Sequence, residues 1–216
     1  MRIDVYSDTV CPWCFLGKRR LELAVASRPQ YDIQIRWRPF ELNPELPTDG
    51  LSRSAFLAMR GITAERAAET DAELKLLGAA SGIQFRFDLI RCMPNTRWSH
   101  LLLAYAGRYG RQSEVKDRIM QGYFEEGINI GDVEELVRLG VQAGLPESEA
   151  RHALIVRLGQ DGVVAAERHA TVLGIAGVPS FIFDGQYTIS GAQEVAIFAQ
   201  VLDQVAQFAS AKETSP

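Results

Sequence analysis

The stretch Ser7-Asp8-Thr9-Val10-Cys11-Pro12-Trp13-Cys14-Phe15-Leu16-Gly17-Lys18 decides how this chain reads. Two cysteines three apart can share one disulfide, and Pro12 between them suits the first turn of a helix, where a missing N–H is no loss. Cys11 then faces the helix start. There the unpaired N–H groups and the positive end of the helix dipole favour a thiolate, the nucleophilic form of sulfur. Cys14 falls one turn deeper and should be less exposed. The pair can therefore act as nucleophile and resolver: Cys11 attacks a disulfide to form a mixed disulfide, and Cys14 attacks Cys11 to free the reduced partner. Neither direction calls for a metal or an organic cofactor. Pro12 and Trp13 add no charge, so the Cys11 pKa is expected to be lowered but not extreme, between the ~3.5 and ~7 of known CxxC enzymes. The potential is expected within roughly −270 to −120 mV. Asp8 is the candidate for proton transfer, with capping of the turn into the helix as its plainer role.

Outward from the pair, Ile3 and Val5 alternate with polar neighbours as a strand does. Trp13, Leu16, Leu23 and Ala24 fall on one helical face that Arg28-Pro29 ends, and Lys18 reads as a solvated position on that helix. Ile33, Ile35 and Trp37 alternate with Gln34, Arg36 and Arg38, a half-buried strand. Strand, helix, strand suits a right-handed parallel crossover. Pro39, Pro44, Pro47 and Gly50 mark a loop and a boundary. Most of residues 52–173 reads as helix. Trp98, Leu101, Leu102 and Tyr105 follow an Asn95-Thr96 start, and Asp132 with Glu135 makes a capping pair. Ala150, Leu154 and Leu158 form an apolar row; Ala166, Ala170 and Leu173 close a last helix at Gly174. After Gly177-Val178-Pro179 the pattern returns to strand: Phe181 to Phe183, a two-residue turn at Asp184-Gly185, then Tyr187 to Ser190. Phe198, Val201, Leu202, Val205 and Phe208 form a terminal amphipathic helix, and Lys212 to Pro216 should fray. The end pieces together make a small mixed sheet flanked by helices. The fold class is thus α/β, a βαβ…ββα sheet domain from residues 1–50 plus 174–216, with residues 51–173 as a large all-helical insertion.

The 216 residues can bury a core without disulfide staples. With 23 basic and 27 acidic side chains the net charge is −4, which leaves no electrostatic footprint for nucleic acid and no basic run for a membrane surface. No stretch approaches the ~20 apolar residues of a membrane span. The start MRIDVYSD is a strand rather than a secretory signal, so the expected location is cytoplasmic. Three cysteines exclude a complete disulfide framework. Cys92, His100, His152 and His169 offer no second pair with zinc-ligand spacing, so no metal is expected. Cys92 reads as a plain buried cysteine, His100 as a packing or hydrogen-bonding histidine, and Arg97 as half of a surface ion pair.

Several stretches in order resemble the DsbA-type thioredoxin superfamily, and within it the FrnE-type branch. They are the segment from Ser7 to Cys14 with Gly17-Lys18, Asn95-Thr96-Arg97 with His100, and Tyr123-Phe124-Glu125-Glu126-Gly127-Ile128-Asn129-Ile130. Gly177-Val178-Pro179-Ser180-Phe181 and Asp184-Gly185 through Ser190-Gly191-Ala192-Gln193 complete the likeness, which covers nearly the whole chain. It implies a thioredoxin-like fold, a cis Val178–Pro179 bond facing the cysteines, and substrate binding by Pro12, Trp13, Val178 and Pro179. It implies protein or small-molecule thiol and disulfide substrates, glutathione among the candidates, and a homodimer. The rival reading is a glutathione-dependent isomerase or transferase similar to the 2-hydroxychromene-2-carboxylate isomerases and kappa-type glutathione transferases. Those use serine at the first active position, where this chain has Cys11, and two thiols favour disulfide exchange.

Overall fold

A computed structural model describes residues 1–213, with side chains through residue 209. The chain opens with β1 (Arg2–Ser7), α1 (Pro12–Ala26) and β2 (Gln34–Pro39). A two-residue strand β3 (Leu51–Ser52) leads into α2 (Arg53–Met59) and α3 (Ala64–Ala79), followed by β4 (Cys92–Met93). Then come α4 (Arg97–Ala106), α5 (Gln112–Phe124), α6 (Val133–Gln142), α7 (Glu147–Ile155) and α8 (Gln160–Val172). The chain closes with β5 (Ser180–Phe183), β6 (Tyr187–Ser190) and α9 (Val195–Glu213). The expected fraying from Lys212 concerns residues that lie in part outside the described ones.

The sheet has the order β2-β1-β5-β6, with β1 parallel to β2 and the other pairs antiparallel. This is the expected thioredoxin-like mixed sheet, with helices α2 to α8 between β2 and β5. One face of the sheet is apolar because alternate strand residues point the same way. Ile3, Val5, Trp37, Phe181 and Phe183 from that face pack with Leu21 and Ala24 of α1 and Phe198, Leu202 and Val205 of α9. Phe181 and Phe198 meet edge to face, with centroids 4.7 Å apart. On the edge strand β2, the Gln112 side chain accepts from the Trp37 N–H (2.9 Å) and donates to the Trp37 carbonyl (3.1 Å).

The second core is built around α1's first turn. Cys11, Cys14, Phe15 and Leu16 belong to one continuous apolar cluster with Leu74, Phe85, Leu102, Ile119, Phe124, Leu136 and Leu154 of the inserted helices. Phe15 is fully buried and lies 5.9 Å from each of the Phe85 and Phe124 rings. The helix that carries the cysteines is therefore held from both sides.

Several local expectations change. Leu23 is exposed, and Leu21 takes the core position: with 3.6 residues per turn the buried stripe runs through Cys14, Gly17, Leu21 and Ala24. Leu158 lies beyond α7, in a turn where Arg157 adopts a left-handed φ of 51°, so the apolar row stops at Leu154. The β5–β6 connection holds three residues, since Phe183 pairs with Tyr187. Asp184 (φ 47°) and Gly185 (φ 70°) make the expected tight turn, closed by Gln186 N–H to the Phe183 carbonyl. The extra residue arises because Asp184 is claimed by β1: its N–H donates to the Arg2 carbonyl and its Oδ1 accepts from the Arg2 N–H. Asp132 caps α6 through the Glu134 and Glu135 amides, while the Glu135 side chain pairs with Arg138 instead of reaching back. The antiparallel β3–β4 ribbon within the helical stretch had no periodic signal at two residues a strand.

Candidate active site

Cys11 stands at the N-cap of α1 with extended backbone (φ −89°, ψ 114°), Pro12 opens the helix, and no side chain caps it. The Cys11 carbonyl accepts the first helical bonds from the Cys14 and Phe15 amides at 3.0 and 3.2 Å. Both cysteines are free thiols and both are buried, 5% exposed for Cys11 and 1% for Cys14. Facing them is the loop after α8. The Val178–Pro179 bond is cis, and the Val178 carbonyl lies 3.9 Å from Cys11 Sγ. Trp13 and Val178 pack against the same core cluster as the cysteines, and Pro12 lines an adjoining apolar cavity. Structure thus brings Cys11, Cys14, Pro12, Trp13, Val178 and Pro179 to one place.

The facing loop is fixed at several points. The Pro179 carbonyl accepts from Gly191 N–H at 2.8 Å, and Arg20 of α1 donates to the Ala192 carbonyl at 2.7 Å. Gly17 explains itself here. A Cβ at that position would lie 3.1 Å from both Pro179 Cγ and Phe181 Cζ, so the loop meets α1 closely because α1 has no side chain there.

The expected lowering of the Cys11 pKa is not what this environment produces. A hydrogen bond with the Cys14 thiol, burial and the charge of an ionised Cys14 push the Cys11 thiol well above the ordinary range. The Cys14 amide at the helix start acts the other way and is outweighed. The helix terminus favours an anion, but an apolar core and a second sulfur favour the shared proton more.

Asp8 is also placed differently from its plainer expected role. It does not cap α1. Its carboxylate is fully buried, accepts from Leu42 N–H at 2.7 Å, and lies 3.3 Å from His100 Nε2. That approach is close but poorly aligned for a hydrogen bond, so it is an electrostatic contact. Burial raises the Asp8 pKa, and His100, the Leu42 amide and Thr96 together overcome it, holding the carboxyl below its usual range. The adjoining Thr9 hydroxyl bonds Ser99 at 2.7 Å, so the loop before Cys11 is bolted to α4. His100 itself is buried, and with Nε2 facing Asp8 but not hydrogen-bonded to it, of the two expected roles packing is the one it fills.

Three further expectations need correction. Lys18 is 1% exposed rather than solvated, with Nζ 2.5 Å from Glu22 Oε1 and 2.7 Å from Asp117 Oδ1, because α5 packs over that face of α1. Arg97 pairs with Glu41, whose carboxylate is buried, so the pair is not a surface one. Cys92 is half-buried in β4, with Sγ 3.7 Å from the Asp49 carbonyl. Sequence reading also missed Lys116. It lies in the apolar row Lys116, Met120, Tyr123 of α5, and a lysine on such a row is the signal that was present. Beside Val10 and Pro12 an apolar cavity of about 230 Å³ opens, walled by Phe56, Leu57, Leu74 and Phe87. Among the described residues no three His, Cys, Asp or Glu side chains group as a metal site, and no helix is long and apolar enough to cross a membrane.

Comparison with known proteins agrees with this fold. The model of the DSBA-like thioredoxin domain matches residues 2–203. The uncharacterized protein YwbO of Bacillus subtilis is 30% identical over 203 residues, spanning 94% of this chain and 96% of that protein. The crystal structure of a probable DsbA oxidoreductase from Streptomyces coelicolor is similar with a TM-score of 0.89 and 35% identity, covering 100% of this chain and 92% of that one. In fold alone, the chain is also similar to cytosolic disulfide reductase DsbM from Pseudomonas aeruginosa with GSH. There the TM-score is 0.69 at 17% identity, covering 99% and 100% of the two chains. A 2-hydroxychromene-2-carboxylate isomerase matches with a TM-score of 0.72 at 16% identity over 100% of both chains.

Proposed function

Since the chain belongs to the DSBA-like thioredoxin domain family, we propose that it is a thiol–disulfide oxidoreductase working through Cys11 and Cys14. The observation that carries this is the buried pair of free thiols at a helix start, with the Val178 carbonyl 3.9 Å from Cys11 Sγ. Cys11 attacks a substrate disulfide held against Val178, Pro179, Pro12 and Trp13. Cys14 then attacks Cys11, forming the Cys11–Cys14 disulfide and releasing the substrate's second sulfur as a thiol. The substrate gains two electrons and the protein loses two.

The raised Cys11 pKa favours one direction. A thiol pair that is not stabilised as thiolate gains more by forming its disulfide, which makes the dithiol an electron donor. We therefore place this chain on the reducing or isomerising side, with protein or small-molecule disulfides, glutathione among them, as substrates. A cytoplasmic site of action belongs to the same reading: a reducing compartment would regenerate the dithiol. Asp8 acts by fixing the loop through Leu42 and His100 rather than by moving a proton. The division into residues 1–50 plus 174–216 and 51–173 stays part of the proposal, the second part supplying the cavity wall beside Pro12.

The test is insulin reduction by protein supplied with dithiothreitol. Cys11→Ser is expected to abolish it, and Cys14→Ser to trap mixed disulfides visible on a non-reducing gel. Equal activity of wild type and Cys11→Ser ends the proposal.

A further inference from the structure

Period-two alternation puts Ser7 on the same row of β1 as Ile3 and Val5, where the core calls for an apolar side chain. Helical spacing puts Lys116 on the apolar row of α5 with Met120 and Tyr123. Each of the two is 1% exposed. Both exceptions open onto one cavity. Ser7 and Lys116 line a space of about 250 Å³ with His100 and half-buried Arg38, and Trp37, Leu103 and Val163 supply apolar walls. The cavity meets the surface beside Ala104 and Gly162, both exposed. Breaks in the packing pattern that converge on one cavity mark a functional site.

The polar groups of this cavity are short of acceptors. Among the described residues Lys116 has no carboxylate partner, whereas Lys18 has Glu22 and Asp117. The Lys116 ammonium lies over the Trp37 ring, 5.2 Å from its centroid. A ring face returns only part of what a buried ammonium loses on leaving water. Burial lowers its pKa to about 8, so it still carries its charge at neutral pH. The Ser7 hydroxyl is buried without a hydrogen-bond partner, and so is His100 Nε2, which faces Asp8 Oδ1 at 3.3 Å. Arg38 shares Asp4 with Arg2, at 2.7 and 3.0 Å, so one carboxylate serves two guanidinium groups. The Gln112 amide is taken up by the Trp37 backbone.

We propose that this cavity is a binding site for a small organic monocarboxylate. The carboxylate accepts from the Lys116 ammonium and the Ser7 hydroxyl, and a short apolar body lies along Trp37, Leu103 and Val163. The Arg38 guanidinium adds positive field for an incoming anion. One unmatched ammonium balances a single negative charge, and apolar walls suit a carbon body, so a monocarboxylate fits this cavity better than a phosphate does. The site stands apart from the exchange chemistry: among the described residues neither cysteine lines it, nor does the Val178-Pro179 loop.

Isothermal titration calorimetry of the full chain with butyrate measures this binding directly. A ligand of this size is expected to bind with a Kd on the order of 1 mM. Butyramide keeps the shape without the charge and should bind about tenfold more weakly. Ser7→Ala removes a hydroxyl that holds no partner in the fold, so the protein should fold as before while its butyrate affinity drops roughly tenfold. Lys116→Met should lower the affinity by about tenfold or more, with thermal stability equal or higher, since a buried charge is gone. If Lys116→Met does not fold, Ser7→Ala decides. Unchanged butyrate affinity in either folded variant overturns the site. No measurable heat from butyrate, equal binding of butyrate and butyramide, or tighter binding of inorganic phosphate than of butyrate overturns the monocarboxylate assignment.

Discussion

Phe15→Ala tests whether the cysteine helix and the inserted helices share one core. Phe15 is fully buried between Phe85 and Phe124, with both ring centroids at 5.9 Å, one contact edge to face and the other stacked. Truncating a buried phenylalanine costs about 3–5 kcal/mol, from lost transfer energy and the cavity left behind. Each aromatic pair contributes roughly 0.5–1.5 kcal/mol beyond area. The surrounding rings are themselves buried and pack on one another, Phe85 on Phe87 at 5.1 Å, so the site has little room to collapse. The upper half of the range is therefore expected. For a chain of this size each kcal/mol shifts the melting temperature by roughly 2–4 °C, so the midpoint should fall on the order of 10 °C. Calorimetry and urea titration followed by near-ultraviolet circular dichroism measure both numbers. The transition should stay single, and a double-mutant cycle with Phe124→Ala should return roughly 0.5–1.5 kcal/mol of coupling. A loss under about 1 kcal/mol, or two separated transitions with only one of them moved, refutes the shared core.

Asp8 has its folded pKa depressed, so its contribution is present above the unfolded value of about 3.9 and is lost as pH falls through the lower folded one. Asp8→Asn should flatten the acid limb of the stability curve; identical limbs in urea titrations between pH 2 and 6 (about the span of carboxylate titration) contradict this. Glu167 behaves in the opposite sense. Burial and a hydrogen bond to Glu41 push its pKa up to about 7, with Arg97 pulling down and Asp8 pushing up. Its stabilisation is full below the unfolded value of about 4.3 and is lost as pH rises through 7. Glu167→Gln should remove that decline, and parallel pH–stability profiles of variant and wild type speak against the pair. Gly17→Val places side-chain atoms against Pro179 and the fully buried Phe181, which cannot retreat. It should cost about 1–3 kcal/mol and slow insulin reduction by displacing the facing loop; unchanged rate and melting temperature count against the close approach.

The sheet and its order of elements were legible because strand and helix periods differ and the breaks fall at Pro and Gly. Cys11 and Cys14 were legible for a different reason: their chemistry depends on local spacing, whereas the Val178-Pro179 loop was expected only through the resemblance to a known family. What escaped was nonlocal. Lys18 looks solvated from its neighbours along α1, and only the packing of α5 shows that it is covered. The Cys11 pKa was misread because the helix terminus is visible in sequence, whereas the sharing of a proton with Cys14 and the burial under an apolar core drawn from far along the chain, Leu74 to Leu154, are not. Asp8 looked like a cap since it precedes a helix; its partners, Leu42 and His100, are distant in the chain. The claim of β1 on Asp184, across 182 positions, likewise set a loop length that turn chemistry alone could not.

The Gln112 amide on β2 has a consequence for assembly. By donating and accepting at Trp37 it imitates a neighbouring strand over one residue, and α5 and α8 both pack near that strand. A foreign strand finds the backbone at Trp37 already matched. Growth of the sheet by main-chain pairing, whether with a client segment or with a second copy, meets that obstacle on one margin and, on the opposite margin at Tyr187–Ser190, a strand of four residues that offers only a brief foothold.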